Sequence, residues 1–113
     1  MRAPALTDYT LTVDGVGDFT FGRRTLGDAI KIRGEYLRLS AGLGDDDTEI
    51  SAYSNVTSTI KVLCVSAPAG WEDVEKLDLT ESDNRLNEVM LLFDALREKE
   101  GSFRRQKIGA SKT

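Results

Sequence analysis

Tyr9-Thr10-Leu11-Thr12-Val13-Asp14-Gly15-Val16-Gly17-Asp18-Phe19-Thr20-Phe21 is the stretch that decides the fold. Apolar and polar residues alternate on both sides of Asp14-Gly15-Val16-Gly17, whose turn chemistry reverses the chain. The segment therefore reads as a β-hairpin over 9–21, with Tyr9, Leu11, Val13, Phe19 and Phe21 on one face. An isolated hairpin is marginal in water, so that face requires helices to pack against. Three amphipathic stretches follow, and the fold class predicted is mainly α: a bundle of three main helices with the N-terminal β-hairpin laid on it.

Working outward, Thr25 and Asp28 form a variant of the capping box, with a carboxylate where the helix dipole favours one. The first helix is expected over 26–41, with Leu26, Ile30, Arg33, Leu37 and Ser40 along its core face and Ala29, Tyr36 and Leu39 widening it. Gly42 and Gly44 supply its stop. Asp45-Asp46-Asp47-Thr48-Glu49 lacks the alternate ligands, sixth-position glycine and twelfth-position glutamate of a calcium loop, so it reads as an acidic N-cap. The capping pair there would be Asp46 and Glu49.

The second helix is expected over 48–67, with Ile50, Tyr53, Thr57, Ile60, Cys64 and Ala67 at helical spacing and Val56 and Leu63 beside them. Its wide apolar arc makes Cys64 a small core residue. Pro68 ends the helix, and the Ala67-Pro68-Ala69-Gly70 turn delivers Trp71, the only tryptophan, to the core or to an interface. The third helix is expected over 82–100, with Leu86, Val89, Met90, Phe93 and Leu96 inward. Asp94, Glu98 and Glu100, interleaved with Arg97 and Lys99, read as a solvated face. Gly101 closes it, leaving one globular domain over 1–101 and a basic, flexible tail over 102–113.

The chain of 113 residues has no histidine and one cysteine. The usual general base, the usual zinc ligand and the base of a serine or cysteine triad are missing together, so no enzyme, no metal and no cofactor is expected. Residues 1–44 carry a net +1, residues 45–100 a net −9 and residues 101–113 a net +4. An acidic body repels a phosphate backbone, which argues against nucleic acid as the partner. Met1 to Thr7 has no apolar stretch of signal-peptide length, and no later run approaches the ~18 apolar residues of a membrane span. A cytosolic protein without a membrane partner is expected.

Three short segments in order carry a resemblance. They are Phe19-Thr20-Phe21 running into Arg24-Thr25-Leu26-Gly27-Asp28, then Ala67-Pro68-Ala69-Gly70-Trp71, then Leu96-Arg97-Glu98-Lys99-Glu100-Gly101-Ser102-Phe103-Arg104. Over residues 19–104 the chain resembles the small tail assembly chaperones of long-tailed bacteriophages and prophages. The resemblance implies a mainly helical protein of the host cytoplasm that binds the tape-measure protein, keeps it soluble and helps recruit tail-tube subunits. The alternative reading is a structural neck or head–tail connector protein.

Candidate protein-binding residues are Trp71, Phe103, Arg104 and Arg105. A basic end following an acidic body favours head-to-tail association, so a homo-oligomer is a second expectation. The competing reading has Phe103 folded back on the third helix beside Gly101, with the arginines solvated.

Overall fold

The computed structural model of the chain describes residues 2–43 and 45–111, with side chains as far as Gln106. Strands β1 (Tyr9–Val13) and β2 (Gly17–Phe21) form the expected hairpin, with Tyr9 opposite Phe21 and Leu11 opposite Phe19. Gly15 and Gly17 take the positive φ that the turn needs. Val13, Phe19 and Phe21 are buried, and Tyr9 and Leu11 pack against them from the same face.

Helix α1 (Leu26–Ser40) starts at the predicted cap: Asp28 N–H donates to Thr25 Oγ1 at 3.1 Å, and Thr25 N–H to Asp28 Oδ2 at 2.9 Å. It ends one residue early, with Ala41 in the left-handed conformation and its N–H donating to the Leu37 and Arg38 carbonyls. Gly42 also has positive φ, while Gly44 lies outside the described residues. Helix α2 (Thr48–Leu63) is capped by Asp47, one residue beyond the expected Asp46; its carboxylate accepts from the Glu49 and Ile50 N–H groups.

The second helix stops well short of residue 67. Cys64–Ser66 form a third strand, β3, antiparallel to β2, and the sheet order is β1-β2-β3. Val62 to Val65 is apolar at every position, a pattern that buried helix and buried strand share. The open edge of β2 decides between them: Leu63 C=O accepts from Gly22 N–H at 2.9 Å, and pairing with β3 covers the edge. Cys64 remains a core residue, and burial pushes its thiol up to about 11.

The fold is thus an α+β domain with a three-stranded antiparallel sheet, and the helices do not form one bundle. Helix α1 packs on α2, whereas α3 (Arg85–Ser111) lies against β1 and α2 with Val89, Leu92 and Leu96 buried. Between α2 and α3, a 3-10 turn at Val74–Lys76 is capped by Asp73. Helix α3 begins at Arg85, after turns closed by Asp78 and Ser82.

Nor does α3 stop at Gly101. It runs on through the segment expected to be a tail, as far as Ser111. A helical glycine costs about 1 kcal/mol, which the contacts on either side of it offset. Glu100 is held by two arginines, and the Phe103 ring sits edge-on to Tyr9 at 5.0 Å.

Candidate protein-binding surfaces

Most of the row expected at the centre of the α1 core face, Leu26, Ile30, Arg33 and Leu37, lies in solvent, while Ser40 at its end is buried. Leu26, Ile30 and Leu37 are 80%, 65% and 51% exposed, and Asp28, Ile32 and Ser40 are the buried residues. The inward arc runs through Ala29, Tyr36 and Leu39, the residues expected to widen the core face, together with Ile32, and Tyr36 hydroxyl meets Ser51 hydroxyl at 3.0 Å on α2. Helix α1 carries apolar residues on two sides, and periodicity alone does not say which side the core takes.

The outward row has the spacing of a helix–helix seam. Gly27, Ile30, Gly34 and Leu37 follow one another at steps of three, four and three, small alternating with large, all of them exposed. A Cβ added at Gly34 would meet nothing, so the space between Ile30 and Leu37 is open to an incoming side chain. Lys31 and Arg33 stand on the same exposed helix and have no carboxylate partner among the described residues; the Arg33 guanidinium lies 5.0 Å from the Tyr36 ring.

A second apolar surface is concave. Leu39, Tyr53, Val56, Leu77, Leu86 and Met90 line a cleft of about 220 Å³ between α2, the 77–79 segment and the start of α3. Glu75 at its rim is fully engaged, accepting from Arg38 at 2.6 Å and Lys61 at 2.7 Å. Those two cations hold its carboxyl at about 2, and Glu75 raises Arg38 and Lys61 in turn. This rim fastens the 3-10 turn to α1 and α2.

Of the residues singled out in the sequence, Phe103 and Arg104 line one cavity, whereas Trp71 lies apart in the core. Trp71 is 5% exposed, edge-on to Phe19 at 5.4 Å and beneath the Arg85 guanidinium at 5.3 Å. It is a core anchor with almost no surface to offer a partner. Phe103 is half-buried, and the Arg23 guanidinium lies 3.6 Å above its ring. Phe103 does not fold back on α3 beside Gly101; it lies within the continuing helix and packs on Tyr9 of β1. Arg105 pairs with Glu98 at 2.8 Å on the surface, and Arg104 is exposed.

Glu100, expected on a solvated face, is 8% exposed. Arg24 donates to both its oxygens, at 3.0 and 3.1 Å, and Arg97 donates a third hydrogen bond at 3.0 Å. The spacing 89, 92, 96, 100, 103 would have marked Glu100 as inward, but a carboxylate interrupts the apolar pattern that makes such a row visible. Around this pair, Tyr9, Arg23, Phe103 and Arg104 complete a cavity of about 400 Å³. Burial pushes the Tyr9 phenol up to about 12, with Glu100 adding to the shift, so it remains a neutral O–H donor.

Among the described residues no helix is long and apolar enough to cross a membrane, and no group of His, Cys, Asp and Glu is arranged to hold a metal ion. Chemically, the surface offers apolar docking and cation-rich recognition. Comparison of the chain with models of protein families, with curated proteins and with solved structures gives no match.

Proposed function

We propose that this chain is a tail assembly chaperone of a long-tailed bacteriophage or prophage, acting in the host cytoplasm. It holds amphipathic helices of the tape-measure protein along the outer face of α1. The observation that carries this reading is the unpartnered seam of Leu26, Ile30 and Leu37. Three large apolar side chains left in water on one helix face mark an interaction surface. Their heptad-like spacing, with Gly34 open between two of them, suits another helix better than a flat surface. Lys31 and Arg33 favour a partner helix with acidic flanks. The three ordered segments that resemble this family supply the choice of partner, and recruitment of tail-tube subunits belongs to the same reading.

Co-expression with the tape-measure protein encoded alongside tests it. The wild-type chain keeps the tape measure soluble and is recovered with it. The double variant Ile30→Asp, Leu37→Asp folds normally, because both positions are exposed, and loses the complex. A tape measure that aggregates equally with and without this chain sinks the reading. So does recovery of the chain as a stoichiometric component of purified virions, the behaviour of a neck or connector protein.

A further inference from the structure

The cavity between the strand-to-helix link and the last part of α3 has a charge opposite to that of the molecule. Its walls bring together four guanidinium groups, from Arg23, Arg24, Arg97 and Arg104, and one carboxylate, Glu100. The chain as a whole carries −4. Glu100 accounts for two of the four, Arg24 and Arg97, and the other two, Arg23 and Arg104, are exposed. Arg23 and Arg104 have no carboxylate partner among the described residues; Arg23 rests on the Phe103 ring. Tyr9 lines the same cavity, and its hydroxyl is buried without a hydrogen-bond partner. That oxygen is closed to solvent, so the ring and not the hydroxyl is what Tyr9 presents to the cavity.

We propose that this cavity binds a peptide carboxylate, with Arg23 and Arg104 as the recognising groups and the Tyr9 and Phe103 rings as its apolar wall. Glu100 shows the chemistry the walls support, since a carboxylate is already gripped there by a two-pronged guanidinium contact. The space left over is much larger than a small oxyanion needs, and the edge-on Tyr9 and Phe103 rings give part of its wall an apolar character. A carboxylate carried on a peptide with an apolar neighbour fills both features. The source is an Asp or Glu side chain or a chain-terminal carboxylate of a partner protein. No residue of α1 lines the cavity, so this site is separate from the outer face of that helix.

Fluorescence anisotropy at low salt tests the site with two labelled pentapeptides. One is amidated, with two Glu between leucines; the other is uncharged in its side chains, with a free C-terminus. Binding of either supports the site, and the peptide that binds identifies the source of the carboxylate. Arg104→Gln weakens binding by about tenfold or more, as expected for loss of a hydrogen bond to a charged group. The variant keeps the wild-type urea midpoint, because Arg104 is exposed. Lys31→Gln, a cation outside the cavity, and Ile30→Asp leave binding unchanged.

Three results overturn the proposal. One is no binding of either peptide, and another is a loss in Lys31→Gln as large as in Arg104→Gln. The third is displacement of the peptide by inorganic phosphate at concentrations where acetate has no effect, which would assign the cavity to a phosphate-bearing ligand.

Discussion

Arg24 and Glu100 form a two-pronged ion pair across 76 positions of sequence, joining the link before α1 to the distal part of α3. Glu100 is the more deeply buried partner, with its side chain 9% exposed against 28% for Arg24. The pair is therefore asymmetric. Arg24→Ala leaves a buried carboxylate with only Arg97 and lowers stability by about 2 kcal/mol. Glu100→Gln keeps the shape, removes the buried charge and leaves an arginine that water can still reach, so it costs less. Urea unfolding of the two variants measures the difference, and equal losses would mean that burial does not govern the pair.

Phe103 makes the end of α3 part of the domain. Truncation after Gly101 removes the ring that covers Tyr9 and carries Arg23. A drop of about 1–3 kcal/mol is expected, from lost apolar burial together with the aromatic and cation–π contacts. Phe103→Ala reproduces most of it. An unchanged thermal midpoint in the truncated chain would show that the segment after Gly101 adds nothing to the fold.

Gly34 lies inside α1 with open space where a Cβ would stand. Gly34→Ala raises stability by about 0.5–1 kcal/mol through helix propensity alone. Gly34→Leu also folds, but it fills the gap between Ile30 and Leu37. Loss of the tape-measure complex in Gly34→Leu, with stability intact, is the expected result. Full retention of the complex would argue that no helix packs into that gap.

Glu75 gives stability a defined acid dependence. Arg38 and Lys61 hold its carboxyl down from an ordinary 4.5 to about 2. A carboxyl lowered on folding adds stability that is present above its unfolded value and is lost as pH falls toward the folded one. The loss attributable to Glu75 therefore falls between about pH 5 and pH 2. Its side chain is about one-third exposed, so the effect is modest and weakens with salt. Urea midpoints across that range decline less steeply in Glu75→Gln than in the wild type; parallel curves would exclude the contribution.

Elements set by local rules were legible in the sequence. The hairpin follows from strict alternation around a glycine-bearing turn, and the start of α1 from the reciprocal Thr25 and Asp28 bonds. Pro68 and Gly70 placed the turn before Trp71, where Trp71 N–H donates to the Pro68 carbonyl at 3.0 Å. The absence of histidine and the sign reversal along the chain were likewise properties of composition.

Tertiary structure decided wherever a segment had two locally acceptable answers. Cys64–Ser66 could extend α2 or pair with β2, and the open sheet edge settled it as a strand. Helix α1 had two apolar sides, and docking on α2 through Ile32 and Tyr36 left the other side, with Ile30 and Leu37, in water. Gly101 reads locally as a stop, yet Glu100 and Phe103 find partners in Arg24 and Tyr9 that lie far away in sequence, and the helix continues through it. Both candidate sites follow from such choices. An exposed face and a converging cavity are relations between elements, which local periodicity and capping do not encode.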